Sequence, residues 1–149
     1  MKSTSYQKYT VKFNPEDVPT LYSDWDWLID QKYLNKPWLM TSFGDLFFEG
    51  PDASIHFLDT LEGTITPFAE NEQIAKEKLA ETANQKRFLT SDTVDLLRER
   101  DLVLKDDELY IYVPHPLVAG AVRIDSVQIM SLNVVLSLGG QLLRQMMRR

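Results

Sequence analysis

Residues 38–68 read WLMTSFGDLFFEGPDASIHFLDTLEGTITPF, and this stretch decides the fold. Short apolar runs are broken by turn residues at Phe43-Gly44-Asp45, at Glu49-Gly50-Pro51-Asp52 and at Asp59-Thr60-Leu61-Glu62-Gly63. β-Branched and aromatic residues dominate between the breaks, the pattern of consecutive antiparallel strands. A packed face of such a meander carries Phe43, Phe47, Ile55, Phe57 and Ile65. The fold class read from this is α+β: an antiparallel β-meander sheet packed by N-terminal, middle and C-terminal helices. Leu109–Val113 alternates like a strand and is expected to extend the same sheet, stopping at Pro114 because proline cannot donate to a ladder.

Working outward, residues 1–20 read as an arm or a short helix. Residues 1–13 are polar with scattered tyrosines, an extended or frayed end, and Asn14-Pro15-Glu16-Asp17 is a helix start that Pro19 keeps short. Leu21, Trp25, Leu28 and Ile29 fall on one helical face, which predicts a helix over 21–32. Trp27 lies off that stripe; it either contacts a partner or packs under a neighbouring loop. Asn71 caps a predicted helix over 71–86, and Ser91-Asp92 opens another over 92–100. Val122–Ile129 reads as a strand, and a closing helix over 132–146 ends in the basic tail Arg144–Arg149. Gly139 and Gly140 inside that helix cost roughly 1 kcal/mol each relative to alanine, so close approach by another element is expected there. Trp25, Phe43, Phe47, Phe57 and Leu136 are expected to share one core.

The chain has 149 residues, enough for one domain spanning 1–149 that hides roughly 70% of its unfolded surface without staples. It has no cysteine, which excludes disulfides and thiolate metal sites and suits the cytoplasm. No stretch has signal-peptide character or the length of a membrane span, so no membrane partner is expected. The formal net charge of −6 repels phosphate backbones and disfavours direct nucleic-acid binding. It favours a basic partner, although mild acidity also serves solubility alone.

Catalytic patterns are sparse. The two histidines, His56 and His115, have no second ligand at metal-binding spacing, and no cofactor or metal is expected. No serine stands in a Gly-x-Ser-x-Gly elbow, and Leu138-Gly139-Gly140 lacks the lysine of a phosphate loop. Asp45 and Asp59 flank turns of the meander and could meet in space. Two neighbouring carboxylates would split their pKa values for acid–base work, whereas two turn aspartates would simply bond their own turns.

Taken together, several segments resemble a known family. They are Asp24-Trp25-Asp26-Trp27-Leu28-Ile29, Thr41-Ser42-Phe43-Gly44-Asp45-Leu46-Phe47-Phe48, Ile55, Phe57-Leu58-Asp59-Thr60 and Gly63. Tyr110, Pro114, Pro116-Leu117-Val118, Gly140-Gln141 and Gln145 complete the set. The chain resembles, from Asp24 to Gln145, the C-terminal domain of Tdi-type type VI secretion immunity proteins. Two features depart from that family: its members carry a GAD-like domain ahead of this one, where 23 residues precede Asp24, and Leu142-Leu143 replace a histidine after the Gly-Gln.

The resemblance implies a cytoplasmic protein without catalysis that binds and silences a cognate toxin, in one branch a DNase. It implies a framework role for Trp25, Phe43, Gly44, Asp45, Asp59, Thr60, Gly63, Gly140 and Gln141. Expected partner contacts are Trp27 and the acids Asp52, Asp106, Asp107 and Glu108 at turns and element ends. The alternative is a small-ligand-binding domain, or an enzyme using Asp45 and Asp59 in a cleft at the sheet edge. A concave pocket with convergent polar groups would favour that alternative.

Overall fold

The computed structural model describes residues 5–147. The meander forms as four consecutive antiparallel strands: β2 (Pro37–Thr41), β3 (Leu46–Glu49), β4 (Ile55–Asp59) and β5 (Thr64–Ala69). The register sets Leu46 opposite Leu58 and Phe47 opposite Phe57. Pro67 lies on edge strand β5, where its missing N–H does least damage to the ladder.

The opposite edge is closed by the segment read as an arm. Residues 6–9 form a 3₁₀ turn, and strand β1 (Thr10–Val11) then pairs with Thr41 and Met40 of β2. Because β1 occupies that edge, the later strand β6 (Glu108–Tyr112) does not extend the sheet as expected. It pairs with β7 (Val127–Ser131) in a separate two-stranded ribbon, tethered to the main sheet where Tyr110 N–H donates to the Ser42 carbonyl at 2.9 Å. The strand expected from Val122 begins only at Val127, after a 3₁₀ turn at residues 124–126.

Two predicted helices are broken. The short helix started at Asn14 forms, as a 3₁₀ turn at residues 15–17 running into α1 (Val18–Leu21), whereas the 21–32 helix does not: 3₁₀ turns at residues 23–25 and 31–35 stand in its place. Ser23, Asp24, Asp26 and Asp30 are weak helix formers, and Asp30 uses its carboxylate to cap the last turn through Lys32 N–H. The 71–86 helix divides into α2 (Glu72–Leu79) and α3 (Thr82–Phe88), with Glu81 extended between them. The side-chain amides of Asn84 and Gln85 donate to the Lys78 and Leu79 carbonyls at 2.8 Å each, satisfying the end of α2 from outside. The other helix boundaries hold: α4 is Ser91–Glu99 and α6 is Leu132–Met147, with a short α5 (Pro116–Ala119) between the ribbon strands. Of the basic tail, Arg148 and Arg149 lie outside the described residues.

The expected single core is two. Successive side chains of a strand point to opposite faces, and β3 and β4 are buried on both. One face sends Leu46, Phe48 and Leu58 towards Trp25, Leu136 and Leu143. The other sends Phe47, Ile55 and Phe57 towards Leu79, Val94 and Leu97, with Phe43 packed beside them. Continuous apolar runs such as Leu46-Phe47-Phe48 are the mark of a strand covered on both sides.

The glycine pair of α6 meets what the sequence demanded. A Cβ on Gly140 would stand 2.5 Å from the Asp24 carbonyl oxygen, and one on Gly139 would stand 3.2 Å from the Trp25 ring. Trp25 donates its indole N–H to the Leu136 carbonyl at 2.8 Å, and Ser137 donates to the Asp24 carboxylate at 2.6 Å. Gln141 in turn donates to Ser137 at 2.9 Å.

Candidate functional site

The β2–β3 and β4–β5 turns lie at one end of the sheet, because β3 and β4 run antiparallel between them. The register that faces Leu46 with Leu58 carries Asp45 opposite Asp59. Asp59 does what a turn aspartate does: one of its oxygens accepts from Leu61 and Glu62 N–H at 2.9 and 3.0 Å. Asp45 does more. Its Oδ1 accepts from the N–H and hydroxyl of Thr60 at 2.8 and 2.6 Å, and its Oδ2 accepts from the Thr41 hydroxyl at 3.1 Å. It therefore ties two turns together across the sheet end.

Asp45 is buried, and its pKa is raised to about 6. Loss of solvent is the main cause, the nearby Asp59 charge adds to it, and the hydrogen bonds from Thr60 and Thr41 oppose it. Among the described residues no lysine or arginine forms an ion pair with Asp45 or Asp59. The Asp45 charge is felt by its neighbours: the hydroxyls of Tyr22 and Tyr112 are pushed up by burial first and by Asp45 second.

Beside this carboxylate is a cavity of about 170 Å³. Phe57 of β4, Phe88 of α3 and the pair Tyr110 and Tyr112 of β6 wall it with rings. Phe43 stacks on Tyr112 at 5.2 Å between centroids and lies 5.4 Å from Tyr110. Asp45, Asp59, Thr60, Arg87 and His115 supply its polar lining, and Leu136 and Gly139 of α6 line it as well. His115 accepts from Leu117 N–H through Nδ1 at 3.1 Å, so its neutral ring carries the proton on Nε2. Burial lowers the His115 pKa, against the pull of Glu62, which keeps the ring neutral at neutral pH.

Trp27, offered as a partner contact, turns inward. It is half-buried, stacks on Trp25 at 5.8 Å and donates to the Gly140 carbonyl at 3.2 Å. The acidic candidates are not gathered into one patch. Asp106 and Asp107 border a hollow with Thr10, Lys12 and Ser42, and Glu108 caps the Lys105 N–H at 2.8 Å. Asp52 stands at the other end of the sheet, in the exposed β3–β4 turn.

At that turn an aspartate, a serine and a histidine meet. Ser54 donates to Asp52 and lies 2.9 Å from His56 Nε2. The order is wrong for a nucleophile, since the histidine must stand between serine and acid to take one proton and be steered by the other. Among the described residues no group of acids and histidines is placed to hold a metal ion.

Sequence reasoning found Asp45 and Asp59 but missed the aromatic wall. Tyr110 and Tyr112 carried the signal, since residues two apart on a strand share a face. Of the residues expected to have a framework role, Trp25 and Gly140 lie where α6 crosses the N-terminal turns, and Gln141 supports the Ser137–Asp24 bond there. Gly63 packs against Leu143 and Trp27, and Gly44, Asp45, Asp59 and Thr60 lie at the sheet end beside Phe43. No family model matches the sequence, and no curated protein does.

Proposed function

We propose that the chain is a toxin-neutralising protein of the immunity type, working in the cytoplasm without chemistry of its own. The resemblance supplies the kind of partner, a cognate effector such as a nuclease. One structural observation supports a protein-binding role: Val113, Leu117, Val118 and Val122 are 40–61% exposed within one short segment. Large apolar side chains left in solvent this close together are typical of association surfaces. The net charge of −6 over the whole chain favours a basic target, since a nuclease holds positive charge against phosphate. Asp52, Asp106, Asp107 and Glu108 are spread over both ends of the sheet, which suits steering during encounter rather than a single charged epitope.

The test is co-expression with a toxin gene found beside this one. Survival of the host and co-purification of the pair are expected, and the double substitution L117D/V118D is expected to abolish both while leaving the fold intact. Failure of the unaltered chain to bind or protect overturns the reading. The cavity favours a second reading, a small-ligand-binding domain or an enzyme using Asp45 and Asp59. A turnover activity lost in Asp45→Asn would establish its enzymatic form.

A further inference from the structure

We infer that the cavity beside Asp45 binds an organic cation: an ammonium or guanidinium group carried on a short apolar stem. The source is either a free amine or guanidine, or a lysine or arginine side chain of a bound protein; the recognising chemistry is the same. The inference does not depend on the immunity reading, because a free cation needs no toxin.

Three features of the site specify this chemistry. First, the walls are rings. Phe43, Tyr110 and Tyr112 form a continuous aromatic surface, and Phe57 and Phe88, which also line the cavity, meet edge-on at 5.4 Å. Aromatic faces attract cations and cover apolar stems equally well. Second, the cavity contains two carboxylates, Asp45 and Asp59, and neither is ion-paired among the described residues. A buried carboxylate beside a like charge gains most from a cation placed against it. Third, the size fits. Cavities of roughly 150 Å³ hold benzene, and this one offers about 170 Å³.

The remaining charged groups do not reverse the preference. Arg87 of α3 also lines the cavity, but its side chain is exposed and its guanidinium lies over the Phe88 ring at 5.0 Å, so solvent screens its charge. His115 is neutral at neutral pH, and Glu62 acts on it as a further negative charge. Tyr22 and Tyr112 are held protonated by burial and by Asp45. The α6 lining residues Val135, Leu136 and Gly139 carry no charge.

Binding should therefore follow the ionisation of Asp45. With its carboxyl protonating at about 6, only about a tenth of the protein carries that charge at pH 5, so a cation binds about tenfold more weakly there than at pH 8. Protonation of His115 acts in the same direction.

The experiment is a titration of the purified full chain with benzylammonium and with butylguanidinium, followed by amide NMR. Benzyl alcohol serves as the neutral comparator, and blocked peptides containing one arginine or one glutamine form a second arm. Saturable shifts centred on Thr60 and residues 110–112 are expected with the cations, at least tenfold tighter than with benzyl alcohol. The loss between pH 8 and pH 5 should be about tenfold. Asp45→Asn, which keeps the hydrogen bonds to Thr60 and leaves Asp59 in place, should reduce the preference for charge and abolish most of its change between pH 8 and pH 5. Tyr112→Leu, which keeps apolar volume, should weaken the cation severalfold and benzyl alcohol far less. A peptide-borne arginine that binds as the free guanidinium does assigns the site to a partner's side chain, and binding of free cations alone assigns it to a small molecule. Equal affinity for charged and neutral probes, or no saturable shift in either arm, overturns the inference.

Discussion

Asp45 and Asp52 are turn aspartates of the same meander, one at each end of the sheet, and their surroundings drive them in opposite directions. Asp45 is buried between two turns beside a second carboxylate, and its pKa is raised to about 6. Asp52 is exposed, and hydrogen bonds from Ser54 hold its carboxyl below the usual carboxylate range. Both accept good hydrogen bonds. What separates them is water: solvent stabilises the Asp52 charge, while Asp45 keeps its charge at neutral pH with only hydroxyls and one N–H around it. A turn aspartate is ordinary as a residue type, and burial beside a cavity is what makes one a functional candidate.

The difference between the ends is broken most severely by removing what closes the packed one. Trp25 is fully buried, donates to the Leu136 carbonyl and packs under Gly139. Trp25→Ala is expected to cost about 3–5 kcal/mol in chemical unfolding, a large share of a small domain's stability. Ser54→Ala at the open end should leave the midpoint close to that of the unaltered chain. Similar losses at both ends would contradict the contrast.

The next largest effect is electrostatic. The Asp45 carboxyl protonates near 3.8 when unfolded and near 6 when folded, so between those values the folded state binds the extra proton. Stability must then fall as pH rises from about 4 to about 6. At about 1.4 kcal/mol for each pH unit, the gap corresponds to about 3 kcal/mol. Asp45→Asn mimics the protonated form and should flatten this fall, leaving the variant more stable than the unaltered chain at pH 8. Unfolding curves of the two proteins that stay parallel from pH 4 to pH 8 would refute the assignment.

A smaller effect sharpens the joint with α6. Gly140→Ala drives a methyl group into the Asp24 carbonyl, 2.5 Å away, and should cost about 1–3 kcal/mol despite the gain in helix propensity. Gly139→Ala meets only the rim of the Trp25 ring at 3.2 Å and should cost less. Equal costs, measured by thermal unfolding, would show that the backbone approach at Gly140 does not matter.

The meander was legible because turn residues and alternation are local signals, and Asn71, whose side chain accepts from Ile74 N–H, announced its helix in the same way. Ser91 marked the start of α4 but stands one position inside it, after Thr90, which makes no side-chain cap. The separate ribbon was not legible. Whether Leu109–Val113 joined the sheet depended on which segment held the edge beside β2, and that segment, Thr10–Val11, is too short to show alternation. The break at Ala80-Glu81 depended on Asn84 and Gln85 folding back onto the preceding helix, a tertiary effect hidden in a run of good helix formers. Asp45 and Asp59 were found from their positions at turns. The cavity beside them was not, because it is assembled by β6, α3 and α6 from distant parts of the chain.

The most direct test of the account follows the side-chain carboxyl carbons of Asp45 and Asp52 by NMR through a pH titration of the folded chain. Asp45 should titrate near pH 6, with Thr60 amide shifts following it, while Asp52 titrates below the usual carboxylate range. Both groups titrating together near 4, or Asp45 below Asp52, would contradict it.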